Sequence, residues 1–387
     1  NLGKSFQKLG DWDEAVTSYH KTLALKPNYP EAHNNLGNVF KELKMMDEAI
    51  INYRRAFELK PDFLQAYYNL GKTFSDLGMF SEAVTICKKA ITIKPKYPDT
   101  YFNLGLIFQN FGKLDEAITS YKEVIALKPD YAAAHNNVGL VFKVKGRNQD
   151  AVRSFREALS IKPDYAEAHC NLGSIYQEQG DIEEAVKRMD MALSFKPEKT
   201  GWRVRKDLFF PVIPQSEEDI QTRRDTLTQN IAALANENLS VSDPALDIGI
   251  TNFYLAYHNY NDRSLLQNIA QLHIKSCPEL AYEAQHCQPE RREKKDILRI
   301  GFLSRHFREH TVGKLMRGII EHFSRDLFEV IIFRFRGKKD PISEAIDQAA
   351  DKVITLNENL EKDRQVIEGE ELDILFYPDI GMDPYTY

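Results

Sequence analysis

The chain repeats itself every 34 residues through its first half, and that period limits what it can fold into. Asn-Leu-Gly stands at 1–3, 35–37, 69–71, 103–105 and 171–173, and Asn137-Val138-Gly139 is a near copy. Lysine followed by proline recurs at Pro27, Pro61, Pro95, Pro129, Pro163 and Pro197. An acid followed by alanine recurs at Ala15, Ala49, Ala83, Ala117, Ala151 and Ala185. A unit this short cannot bury its own apolar face. Units in register must therefore stack, each against its neighbours.

One unit shows what the markers do. His33, Leu36, Gly37 and Phe40 share a helical face at i, i+3, i+4 and i+7. Gly37 has no side chain, so a second helix can approach closely there. Ala49, Tyr53 and Ala56 repeat the helical spacing after a turn near Met45-Met46. Pro61 stops that second helix, because proline lacks an N–H and disfavours helix before it. The unit resembles the tetratricopeptide repeat, a pair of antiparallel helices. The resemblance implies a superhelix with a concave face, lined mainly by first helices. The array is expected at 1–199: a partial unit at 1–29, then full units at 30–63, 64–97, 98–131, 132–165 and 166–199.

Asparagine holds the sixth position of every unit: Asn1, Asn35, Asn69, Asn103, Asn137 and Asn171. An amide both donates and accepts. Asn35, Asn69, Asn103, Asn137 and Asn171 could thus clamp the backbone of an extended acceptor peptide without reading its side chains. Alternatively, asparagine is simply common at this position in such repeats. The fifth position varies, as Asn34, Tyr68, Phe102, Asn136 and Cys170, which suits a groove tolerant of many peptides.

Composition narrows the partners. The 51 basic and 57 acidic residues leave a net charge of −6, which argues against nucleic acid. No apolar run is long enough for a membrane helix. Cys87, Cys170, Cys277 and Cys287 form no metal-type spacing. They read as small buried apolar groups in a reduced, cytoplasmic setting. The chain opens inside a repeat, so a longer parent is expected.

The markers stop after Pro197. Residues 200–295 read as a helical connector: a helix capped by Ser216 and running to about Asn236, then another at Arg263–Lys275. The aromatic run Phe253–His258 between them reads as core packing, with His258 a packed histidine. After the charged stretch Glu290–Lys295 the pattern changes. Strands are expected at 297–304, 328–333, 352–356 and 372–377. Helices are expected between them at 312–323, 342–350 and 360–368. That alternation predicts a doubly wound parallel sheet, with ligands at the carboxyl ends of its strands. The segments to watch are Ser304–Gly313 and Pro378–Asp383. The first packs Arg305, His306, Arg308, Glu309 and His310 into one loop. His306-x-x-Glu309-His310 matches a zinc-protease pattern, but that pattern needs both histidines on one helix face, and here it follows a strand directly. No metal site is expected.

Three segments carry a second resemblance: Thr251–His258, Ser304–Met316 with His310, and Asp373-Ile374-Leu375-Phe376-Tyr377-Pro378-Asp379-Ile380-Gly381. With the repeats, they resemble the O-linked N-acetylglucosamine transferases, chiefly bacterial SPINDLY-like relatives. The resemblance implies that residues 296–387 form the first Rossmann-like half of a GT-B domain. It also implies transfer of a sugar from UDP-N-acetylglucosamine to serine or threonine of proteins, without a cofactor or metal. His310 would lie by the acceptor hydroxyl, with Arg305, His306, Lys314 and Asp379 along the cleft. Thr311, Lys314 and Asp373 replace a proline and two histidines of the animal enzymes, which leaves the sugar open, fucose included. The family's second half, with most UDP contacts, would follow Tyr387. This span alone is expected to be inactive, and its open sheet edge invites self-association. The alternative is a non-catalytic interaction scaffold.

Overall fold

The computed structural model describes residues 2–211, 213–250, 252, 255, 260–281, 284–287, 296–335, 337, 339–356 and 359–378. The chain is mainly helical and divides into two compact units, Asn1–Asn171 and Leu172–Tyr387.

Helices pair along the repeats: α1 (Leu2–Leu9) with α2 (Trp12–Leu25), α3 (Pro30–Glu42) with α4 (Met46–Leu59), and α5 (Leu64–Asp76) with α6 (Phe80–Ile93). Next come α7 (Pro98–Asn110) with α8 (Leu114–Leu127), α9 (Ala132–Val144) with α10 (Asn148–Ile161), and α11 (Ala166–Glu178) with α12 (Ile182–Phe195). The division between the units falls inside α11. The glycine of each first helix explains the pairing. A Cβ built at Gly37, Gly105 or Gly139 would come within 2.7, 2.5 or 2.6 Å of the ring of Tyr53, Tyr121 or Phe155. Each aromatic ring therefore lies directly on bare backbone. Ala49, Ala117 and Ala151 are wholly buried, where only a methyl fits between the helices.

The second unit continues with α13 (Thr200–Asp207), α14 (Glu217–Ala235), α15 (Pro244–Asp247) and α16 (Arg263–Ser276). Ser216 caps α14 by accepting the Asp219 N–H at 3.1 Å. Leu227, Ile231 and Leu234 of α14 pack with Leu265, Ile269 and Leu272 of α16 in one apolar core. Of the aromatic run at 253–258 only Leu255 is described, and it is buried in that core. His258 and Glu290–Lys295 lie outside the described residues.

The α/β part runs β1 (Leu298–Ser304), α17 (Thr311–His322), β2 (Phe328–Phe335), α18 (Pro341–Ala349), β3 (Lys352–Leu356), α19 (Leu360–Glu368) and β4 (Ile374–Phe376). The sheet is parallel in the order β3-β2-β1-β4. Ile300, Phe302, Val330 and Ile332 pack on one face with Met316, Ile320 and Ile346 of α17 and α18. Leu303, Ile331 and Phe333 pack on the other with Val366 and Ile367 of α19. Helices on both faces make the sheet doubly wound. The last strand is shorter than the expected 372–377. Asp373 meets Arg299 twice, its N–H donating to the Arg299 carbonyl at 2.9 Å and its carboxylate accepting the Arg299 N–H at 2.8 Å, and registered strand pairing runs from Ile374 to Phe376. Among the described residues no helix is long and apolar enough to cross a membrane.

Candidate functional site

Among the described residues, polar side chains gather along the repeats and at the mouth of the sheet. In the repeats, first helices touch in succession, α3 with α5 and α5 with α7. The asparagines expected along this surface have partners within the array. Asn69 Nδ2 donates to Asn34 Oδ1 at 2.9 Å and Asn38 Oδ1 at 3.0 Å. Asn171 Nδ2 donates to Asn136 Oδ1 at 2.9 Å. Asn137 Nδ2 reaches the Tyr121 hydroxyl at 3.4 Å, and Asn35 is hydrogen-bonded to the Tyr19 hydroxyl. A sixth-position amide thus ties its helix to the preceding unit. It uses either a fifth-position asparagine or the tyrosine hydroxyl of the second helix.

Asn103 differs. The preceding fifth position is Tyr68, and the preceding ring position is Cys87, so neither partner exists. Its amide has no side-chain hydrogen bond among the described residues. Beside it opens a cleft of about 290 Å³, lined among others by Tyr68, Cys87, Tyr97, Asp99, Phe102 and Tyr131. Burial pushes the Cys87 thiol up to about 12, so it is neutral at physiological pH. The residues at 34-residue spacing, Tyr19, Tyr53, Cys87, Tyr121, Phe155 and Met189, carry the signal that marks this cleft in sequence.

In the sheet, strand order reverses at β1, and the loop after β1 lies at that switch point. Its shape is fixed from two sides. Asp340 accepts the Glu309 N–H at 2.8 Å while capping α18 through the Ile342 and Ser343 N–H groups. These backbone donors, the Glu309 N–H first, hold the Asp340 carboxyl below the usual range. At Gly313 a Cβ would stand 2.1 Å from the Arg308 carbonyl oxygen, so only glycine lets the loop fold back there. His310 caps α17: its Nδ1 accepts the Val312 N–H at 3.2 Å, which leaves Nε2 to carry the proton of the neutral ring. The His306 and His310 rings stack with centroids 4.2 Å apart.

A cleft of about 380 Å³ opens between the ends of β1 and β2. Arg305, Arg308, Arg334, Lys339 and Asp340 line it. Arg305 stands over the Phe335 ring, 4.4 Å from its centroid. Arg334 and Lys339 both pair with Asp347. Of the residues expected along a cleft, Arg305 lines this one. His306 and Lys314 do not: His306 stacks on His310, and the exposed Lys314 of α17 pairs with Glu309 at 2.5 Å. Asp379 and the stretch to Asp383 lie outside the described residues. The reading from sequence missed Arg334, at the far end of β2, and Lys339, between β2 and α18. His306, Glu309 and His310 sit on turns and bends, not on a helix. Among the described residues no group of three possible ligands gathers around a metal-sized space.

Family patterns match the first half of the chain. The TPR repeat pattern matches residues 3–44, 111–146 and 139–180. Tetratricopeptide repeat patterns match 30–63 and 64–97, 86–119, and 166–199. Among solved structures, MamA is similar, at 29% identity over 43% of this chain and 98% of that one, with a TM-score of 0.38. So is a thermophilic TPR protein of Thermus thermophilus, at 26% identity over 46% and 97%, with a TM-score of 0.40. YrrB, described as a TPR protein with an unusual peptide-binding site, shares 21% identity over 47% and 94%, with a TM-score of 0.35. No curated protein matches the chain.

Proposed function

Over residues 3–199 this chain belongs to the tetratricopeptide-repeat family, and from that premise we propose that it is a protein-interaction scaffold whose first helices hold an extended polypeptide. The observation that carries the reading is Asn103. It is a half-buried amide on a first helix, facing an open cleft, with its donors and acceptor unspent on any described side chain. An extended chain has one N–H and one C=O per residue to offer such a group. The other amides of the row are committed to neighbouring helices and serve the groove by holding its wall. The test compares single variants. Asn103→Ala should weaken binding of a long unstructured polypeptide by the worth of one neutral hydrogen bond, roughly 0.5–1.5 kcal/mol, and leave the melting temperature unchanged. Asn69→Ala, which removes a bridge to Asn34 and Asn38, should lower the melting temperature. Unchanged polypeptide affinity in Asn103→Ala would remove the groove reading.

A second reading, protein O-glycosyltransferase, is favoured by one observation. A polar loop with His310 stands at the switch point of a doubly wound sheet, where such folds bind ligands. On this reading the repeats deliver a serine or threonine acceptor, His310 Nε2 is the group near the acceptor hydroxyl, and a UDP-sugar is the donor. In a parent protein with both halves of a GT-B cleft, His310→Ala should then lower sugar transfer from UDP-N-acetylglucosamine by roughly 10²–10⁴-fold. Full transfer by that variant would strike His310 from the mechanism.

A further inference from the structure

We infer that the cleft between α5 and α7 is a specificity pocket for a basic side chain, lysine or arginine, of the polypeptide held in the groove. This rests on the groove reading above and names which residue the groove selects. The pocket lies where Cys87 replaces the ring that Tyr19, Tyr53, Tyr121 and Phe155 supply at the equivalent position of other units. Where Tyr53 and Tyr121 lay a ring on Gly37 and Gly105, the 64–97 unit has Cys87, whose Sγ stands 3.4 Å from a Cβ built at Gly71. Cys87 and Ala90 line the cleft, and a thiol at that position takes less of its volume than a ring would, while Gly71 itself is met by the Ala83 carbonyl oxygen and Ile107 Cδ1, each 3.8 Å from the built Cβ.

What surrounds that space is selective. Tyr68, Tyr97, Phe102 and Tyr131 present aromatic surface, and each is only half-buried. Among the described residues Asp99 is the one charged group of the lining, and no lysine or arginine belongs to it. The Asp99 carboxylate is held by the Tyr131 hydroxyl, which donates to Oδ1 at 2.9 Å, and by the Tyr97 hydroxyl. Neither partner neutralises it. Aromatic faces and a fixed carboxylate together attract a cation that can shed water, through the ring quadrupoles and by direct charge. The chain's own lysines show that these rings take cations: Lys94 and Lys128 stand 4.8 and 5.4 Å from the centroids of Tyr97 and Tyr131. An acidic side chain would be repelled by Asp99. An aliphatic one would leave the carboxylate and the Asn103 amide beside it unanswered. Asn103 at the cleft's edge can hold the backbone of the residue whose side chain enters.

The test uses fluorescent Gly-Ser-Asn peptides of about 15 residues, which reach about 50 Å when extended at roughly 3.3 Å per residue. They are identical except for a central lysine, arginine, norleucine or glutamate. The unaltered chain should bind the lysine and arginine peptides about tenfold more tightly than the norleucine peptide, within the range of a desolvated cation–π contact, and the glutamate peptide more weakly still. Cys87→Tyr should fill the pocket and abolish the preference while keeping norleucine-peptide affinity. Because that variant must repack α6 against α5, Asp99→Asn carries the same test with no change of volume, and it too should lose the preference. Equal binding of lysine and norleucine peptides by the unaltered chain overturns the inference and spares the groove. So does a preference that survives in Asp99→Asn. Failure of every peptide to bind overturns the groove reading, and this inference with it.

Discussion

Tyr121 rests on Gly105 so closely that a single methyl has no room, whereas a methyl at the equivalent Gly71 would meet the Cys87 sulfur at 3.4 Å and the Ala83 carbonyl and Ile107 Cδ1 at 3.8 Å. The same substitution should therefore have opposite signs in the two units. Gly105→Ala forces the Tyr121 ring away and should destabilise the array by about 1–3 kcal/mol, the usual cost of overpacking. Gly71→Ala meets ordinary contact distances and gains helix propensity, so it should stabilise by up to about 0.5–1 kcal/mol. Urea unfolding of the two variants decides. Equal destabilisation would mean that the space beside Cys87 is not open.

Along the second helices the buried phenols make a titration device. Burial raises Tyr53 and Tyr121 well above their ordinary value of 10.0, and it raises Cys87 from 9.0 to about 12. The folded array keeps these protons at pH values where the unfolded chain releases them. Their contribution to stability is complete below the unfolded values and is lost as pH rises through the window from about 9 upward. The melting temperature should accordingly be flat with respect to these groups near neutrality and fall in alkali. Tyr121→Phe removes one titrating group along with its bond to Gln109. It should start lower and fall less steeply. A parallel alkaline slope in the variant would show that Tyr121 does not carry the effect. At α17 the N-cap is His310, at the position that an aspartate or serine usually holds.

Each compact unit closes its own cores, and a cut in one core should stay there. Ile332 is wholly buried in the sheet, among Ile300, Phe302, Ile320 and Ile346. Ile332→Ala should cost about 2–5 kcal/mol of local stability. In native-state hydrogen exchange, protection should drop in β1–β4 while the amides of α3–α8 keep theirs. Loss of protection in both would show that the units unfold as one.

The 34-residue period was enough to place the helix pairs and the close helix approach at Gly37, because each depends on residues close in sequence and repeated in register, whereas the rings that lie on Gly37 and Gly105 emerge only from the packing. Strand and helix alternation after residue 296 was legible for the same reason: periodicity is local. It did not reveal how the asparagine row is spent. Asn69 finds Asn34 and Asn38, whereas Asn103 finds no described side chain, because the partner of each amide lies one repeat back, on a different helix. The paired bonds between Asp373 and Arg299 at the start of β4 join residues more than seventy apart, beyond the reach of any local pattern. Arg334 and Lys339 joined the sheet mouth, and His306 and Lys314 turned from it, because a parallel sheet brings together the ends of strands that the chain keeps apart. Cys87 is the residue where the two levels meet. Its spacing marks a missing ring, but only folding shows that the cleft opens between Tyr68, Phe102 and Asp99, since α5, α6 and α7 and the two connections that carry Tyr97 and Tyr131 must converge to wall it.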